Sequence, residues 1–174
     1  MTTKSFGEPI LRKEDPRLVS GQGRYLDDLG HEALAAAFLR SPHASDRILD
    51  IDVTDALDVP GLIGIYTYED LEGRVAEPLP LLNPHPALLN GRTGYPLANE
   101  YVRHVGEAIV MVIAEDRYVA EDVVDLIKVS YEILKPVVGI ENAKAAHNAV
   151  HSSVPNNVSA HSVKEVGDAR AMIK

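Results

Sequence analysis

The chain has 174 residues, 17 Lys and Arg against 26 Asp and Glu, a formal net charge of −9, and no cysteine. An acidic balance without a basic block excludes a surface for a phosphate backbone or an anionic membrane. The missing thiols exclude disulfides, thiolate zinc sites, iron–sulfur ligation and a cysteine nucleophile in this chain.

With 45% apolar and 25% charged residues, the composition is that of a folded domain. Residues 1–9 hold no apolar run of signal-peptide length, and no stretch reaches the roughly 18 apolar residues of a membrane span. A soluble cytoplasmic protein without membrane insertion is the expectation.

In chain order, Phe6 to Arg24 mixes Pro9, Pro16, Gly21 and Gly23 with alternating charges, and reads as an extended, turn-rich lead-in. Ala33 to Arg40 is a short apolar run that fits a helix or a buried strand equally well. Ile48 to Val53 alternates, which predicts a half-buried strand with Leu49, Ile51 and Val53 on one face and Asp50 and Asp52 on the other. Thr54 can cap a short helix through Asp58. Pro60-Gly61 ends that helix and opens a strand over Leu62 to Thr67, with a turn marked by Asp70 and Gly73.

Glu77 to Pro96 holds Pro78, Pro80, Pro84, Pro86 and Pro96, five of the eleven prolines. Prolines remove the donors a sheet needs, so this stretch is expected as a long loop that is functional or laid against a partner. Ile109 to Ile113 is a continuous apolar strand. Asp116 is placed to cap a helix from Arg117 to about Lys128, whose Val119, Val123 and Ile127 line the packed face opposite Glu121, Asp122 and Asp125. Val129 to Ile133 alternates as a further strand that Pro136 stops. A helical turn beyond Glu141 runs through Ala146 into a polar, aperiodic stretch.

Candidate chemistry is sparse. His31, His43, His85 and His104 are widely separated, and His147 and His151, although four apart, have no third ligand and fall in a loop, so no metal site is assigned. Gly21-Gln22-Gly23 lacks the third glycine and the strand–helix context of a phosphate cradle and reads as a turn. Asp27-Asp28 reads as a turn, Glu121-Asp122 as solubilising charge, and Ser152-Ser153 lacks a nucleophile elbow. The residues alone describe an α+β domain for interaction or structure.

The order Gly7-Glu8-Pro9, Arg12-Lys13-Glu14-Asp15, Gly21-Gln22-Gly23-Arg24-Tyr25-Leu26-Asp27-Asp28 and Phe38-Leu39-Arg40-Ser41-Pro42-His43-Ala44 resembles the start of the molybdenum-hydroxylase large subunit. That is the family of xanthine dehydrogenase, aldehyde oxidase and aerobic carbon monoxide dehydrogenase. The likeness continues through Ile51-Asp52, Pro60-Gly61, Asp70-Leu71, Val102-Arg103-His104-Val105-Gly106-Glu107, Val112-Ile113-Ala114-Glu115, Ala120-Glu121-Asp122 and Val129-Ser130-Tyr131-Glu132, and so spans residues 7 to 145. The chain departs from the family pattern at Ser45-Asp46, where a second histidine is usual, at Ala108 in place of proline, and at Leu134-Lys135-Pro136.

The resemblance implies an α/β-hammerhead, expected as a mixed sheet with short helices packed on it. It implies a lead-in over 1–30, the hammerhead over 31–146 and a linker over 147–174 toward a molybdenum-binding domain, with Val166-Gly167-Asp168-Ala169 similar to the segment that leads there. It implies a holoenzyme that oxidises an aldehyde, an N-heterocycle or carbon monoxide, using molybdopterin, [2Fe-2S] clusters and FAD held elsewhere. Partners would be the molybdenum-binding domain and iron–sulfur and FAD subunits in a hetero-oligomer, with 77–96 as the contact surface. The catalytic glutamate of the family lies beyond the matched region, so no catalytic, cofactor-binding or metal residue is expected here, and this segment alone is expected to be inactive. A stand-alone binding module recruited from the same fold is the alternative.

Overall fold

The computed structural model describes residues 7, 9–28, 33–71, 73–74, 78–81, 83–91, 93–164 and 166–167. The chain divides into two units between Ala33 and Leu34.

In the first unit, the expected extended lead-in contains a short helix, α1 (Asp15–Val19). Pro16 sits in its first turn, where a missing N–H costs nothing, and Asp15 places negative charge at the same end. Gly21 takes a φ of +72° just past Ser20, and Gln22 N–H donates to Arg17 O at 2.7 Å, so the Gly21-Gln22-Gly23 turn is the helix stop. Local signals of this kind end a helix that periodicity is too short to reveal.

The second unit contains β1 (Ala35–Arg40), β2 (Asp46–Asp52), β3 (Leu62–Tyr66), α2 (Tyr68–Leu71), β4 (Tyr101–Val102), β5 (Ala108–Ala114), α3 (Arg117–Leu126), β6 (Lys128–Ile133) and α4 (Ile140–Ala145). The α+β class holds, but the single mixed sheet is replaced by two three-stranded sheets, in the orders β1-β5-β3 and β4-β2-β6. Every pairing in them is antiparallel. A parallel pair needs a helix-length crossover between strands of one sheet. Here α3 joins β5 to β6, which lie in different sheets, so it creates none.

Alternating burial settles β1 as a strand: Ala35, Ala37 and Leu39 turn inward while Ala36, Phe38 and Arg40 face out. It pairs with β5, whose Ile109, Val110, Val112 and Ala114 are wholly buried. β5 is apolar on both faces because it is the middle strand of its sheet and is covered by α3, which also packs on β1. Asp116 caps α3 as expected, its Oδ1 accepting the Val119 N–H at 3.0 Å. The helix stops at Leu126 rather than Lys128, because Ile127 has turned extended with ψ 130° and its β-branched neighbours enter β6. One core joins Val102 of β4, Ile109, Val110, Val112 and Ala114 of β5, Ala120 and Val123 of α3, and Ala56 and Ile127, with Ile48, Ile51 and Tyr131 packed around it.

Two local expectations change. Pairing along β2 runs Ile48 to Tyr131 and then Asp50 to Ser130, a bulge at Leu49. The bulge flips the alternation, so Leu49 points out while Ile48 and Ile51 pack inward. Thr54 does not cap a helix through Asp58. A single 3₁₀ turn, Thr54–Ala56, follows Val53, and Asp52 Oδ1 accepts the Thr54 N–H at 2.9 Å. An aspartate two residues upstream captures that donor in a tight side-chain turn.

Candidate functional site

The Pro-rich segment borders a large cavity. Its described residues between 78 and 96 form no helix or strand of either sheet. The segment is nevertheless folded upon itself. Leu79 N–H donates to Gly94 O at 2.9 Å, the Thr93 hydroxyl donates to Leu79 O, and His85 Nδ1 accepts the Ala87 N–H at 3.1 Å. Tyr95 meets Tyr68 of α2 edge to face, with ring centroids 5.0 Å apart. Leu97 and Ala98 then drive the chain into the core at 2% and 5% exposure.

Between this segment and β4 lies a cavity of about 740 Å³, lined by Leu79, Leu81 and Tyr95 on one side and Glu100, Tyr101 and Arg103 on the other. Glu100 accepts from Arg47 Nε at 3.0 Å, and Glu107 Oε2 accepts the Arg103 N–H at 2.6 Å. The Arg103 guanidinium lies 5.3 Å from the Tyr101 ring centroid and donates to Val150 O. These charges are used in holding the walls together. The cavity is lined by both polar and apolar side chains.

The described histidines lie in separate surroundings. His85 is engaged in its own turn, His104 Nδ1 sits 3.5 Å from Glu107 Oε2, His147 is exposed, and His151 is half-buried in the wall of the cavity. His31 lies outside the described residues. Among the described residues no three His, Asp or Glu side chains gather into a set that could hold a metal ion. The holoenzyme groups implied by the resemblance would need thiolates for their iron–sulfur clusters, and the chain has no cysteine.

Asp28 Oδ2 accepts the Tyr25 N–H at 2.8 Å, which makes it part of a turn. Glu121 accepts from Arg117 Nε at 2.7 Å on the exposed face of α3, and Ser152 and Ser153 are exposed turn residues.

One group escaped the sequence reading. Asp46 is completely buried at the start of β2, and neither carboxylate oxygen receives a hydrogen bond among the described residues. His43 Nε2 lies 3.9 Å from Asp46 Oδ2, and the His43 ring meets the Tyr131 ring at 5.2 Å and 75°. Burial, and then the negative charge of Asp46, push the Tyr131 phenol above its ordinary range. The alternation over Ile48 to Val53 carries no signal for it, because Asp46 shares the parity of Asp50 and Asp52 and falls on the inward side only through the bulge at Leu49.

Two antiparallel sheets sharing a core with one central helix make an α/β-hammerhead. A family model described as aldehyde oxidase and xanthine dehydrogenase, a/b hammerhead domain, matches residues 20–135. The chain belongs to that family. It is 32% identical to the nicotine 6-hydroxylase large subunit of Paenarthrobacter nicotinovorans, over 97% of this chain and 20% of that protein. It is 37% identical to the carbon monoxide dehydrogenase large chain of Afipia carboxidovorans, over 73% of this chain and 15% of that protein. Its fold matches quinoline 2-oxidoreductase from Pseudomonas putida 86 with a TM-score of 0.71 at 36% identity, covering 88% of this chain and 19% of that one. The likeness to molybdenum-hydroxylase large subunits thus holds, and the chain spans a fifth or less of the length of these oxidoreductases. No helix among the described residues is long and apolar enough to cross a membrane.

Proposed function

We propose that this chain is the non-catalytic hammerhead portion of a molybdopterin-dependent hydroxylase or dehydrogenase, and that its work is to support assembly with the molybdenum domain and with partner subunits. The observation that carries this reading is the family match over residues 20–135 in a chain that spans only 15–20% of the two large subunits compared above. The holoenzyme would oxidise a carbon centre of an aldehyde or N-heterocycle, or carbon monoxide, and pass electrons through [2Fe-2S] clusters to FAD on other chains in the cytoplasm. Residues 1–30 serve as lead-in, 31–146 as the hammerhead and 147–174 as the connection onward. No catalytic, cofactor-binding or metal residue is assigned to this segment, which would be inactive alone.

The Pro-rich segment is the contact surface in this reading. Its Leu79, Leu81 and Leu89 side chains are exposed, which a surface facing only water has little reason to keep. The test is recovery of the native complex with an antibody to this domain, followed by measurement of polypeptide length, molybdenum, iron and flavin. Co-recovery with molybdenum-, iron- and flavin-bearing chains, or within a much longer polypeptide, is the expected result. A free, metal-less chain would overturn the reading and favour a stand-alone binding module. Deletion of residues 77–96 is expected to abolish assembly with the partner subunits, and intact assembly would remove the segment from the interface.

A further inference from the structure

The polar stretch after α4 is bound to the rest of its unit at several separate points. Asn157 is its hub. With φ at +55° it occupies the left-handed region, which asparagine tolerates better than most residues. Its side-chain Nδ2 donates to Ala143 O at 3.2 Å and to Asn148 O at 2.8 Å, while its Oδ1 accepts the Val150 N–H at 2.9 Å. One amide thereby closes residues 148–157 into a loop upon the end of α4. Val154, 7% exposed, buries the middle of that loop, and the Arg103 guanidinium holds Val150 O from the β4 side.

Beyond the hub, the same stretch pairs with the Pro-rich segment. Leu88 and Ala160 form an antiparallel bridge. Leu89 and Asn90 N–H both donate to Ser159 O, at 3.0 and 3.1 Å, and His161 N–H returns a bond to Ala87 O at 2.9 Å. Asn90 Nδ2 adds a bond to Val158 O at 2.9 Å. Residues 83–91 join neither sheet, so this pairing is the regular backbone contact that fixes them.

We infer that residues 147–161 form a strap, clasped by Asn157, that sets the position of the Pro-rich segment and ties it mechanically to whatever the polypeptide carries beyond the strap. The chain leaves the strap at His161, directly beside Ala87. A displacement of the downstream polypeptide would therefore pull on the Pro-rich segment before it reached either sheet. Its consequence for assembly rests on the reading of that segment as the contact surface.

Hydrogen exchange on the native chain, compared with Asn157→Gly and Asn90→Ala, tests the strap. Glycine accepts the positive φ at position 157, so that variant removes the side-chain clasp without straining the backbone. The Leu89 and Asn90 amides are expected to exchange roughly tenfold faster in Asn157→Gly, and faster by a smaller factor in Asn90→Ala. The β5 amides should keep their protection in both. Unchanged exchange at Leu89 and Asn90 in both variants would overturn the strap whatever happens to assembly. If Asn157→Gly lost β5 protection, Asn90→Ala alone would decide, since it leaves the hub in place. Partner-subunit binding by the same variants separates the two readings: faster exchange with undiminished binding leaves the strap standing, and refutes both its control of assembly and the contact-surface assignment.

Discussion

Asp46 is a carboxylate placed where a strand turns its side chain inward. Leaving water costs a charged group several kcal/mol unless donors replace the lost hydration, and here a histidine nitrogen approaches only to 3.9 Å. Asp46→Asn keeps the shape and removes the charge. It is expected to raise unfolding free energy by on the order of 1 kcal/mol in urea titrations. A loss of stability instead would identify the His43 imidazolium as a working counterion. The position is not legible from strand parity, because the alternation over Ile48 to Val53 sets Asp46 with the outward Asp50 and Asp52, and only the bulge at Leu49 turns it inward. Its isolation is hidden as well, because donors to a carboxylate come from other strands, and only the assembled sheet shows that β4 and β6 supply none.

At the scale of elements, helices with local determinants are the part that sequence reveals best. Asp116 lies just ahead of the helical run that begins at Arg117 and captures the Val119 amide. Asp116→Ala is expected to cost about 1 kcal/mol, the usual worth of a side-chain cap, read as a lowered urea midpoint with an unchanged slope. In α2, the Thr67 amide and hydroxyl both donate to Asp70 Oδ2, at 2.7 and 3.1 Å, and this paired capture starts a four-residue helix that is too short for any periodicity. The apolar run of β5 and the alternation in β6 were likewise visible in advance. β4 was not, since two residues carry no period, and the outward turn of Leu49 depends on a bulge in the pairing with β6. The strap was hidden for a related reason: its bonds are made by asparagine side chains and loop backbone, which leave no pattern of hydrophobicity.

At the scale of the whole molecule, three groups among the described residues bias stability with pH. Burial raises Tyr131, and a 2.6 Å hydrogen bond to Asp55 raises Lys128 above its unfolded value of 10.5. Both bind protons more tightly when folded, so their contributions are complete below the unfolded values near pH 10 and are lost as pH rises through the folded ones. Asp52 is displaced the other way. Hydrogen bonding from Thr54 lowers its carboxyl below 3.8, so its share is complete above that value and is lost as pH falls through the lowered one. Urea midpoints should therefore decline at both extremes, and Tyr131→Phe should shallow the alkaline decline while leaving the acid one unchanged. An alkaline decline unaltered in Tyr131→Phe would remove the phenol as a contributor. The class and the family pattern were readable along the chain, whereas the partition into two sheets was not, because it is decided by which distant segments pair.

That partition also dictates an order of events during synthesis. Ala35 pairs with Ala114, 114 − 35 = 79 positions later, and Asp46 pairs with Ile133, 133 − 46 = 87 positions later. The first three strands thus emerge from the ribosome without partners, and the first sheet can close only when β5 arrives to slide between β1 and β3. Until then the nascent chain displays unpaired, half-apolar strand edges, the state most vulnerable to aggregation. The hammerhead is therefore a late-closing unit, whose N-terminal strands β1 and β3 stay without their sheet partner until the central strand has been made.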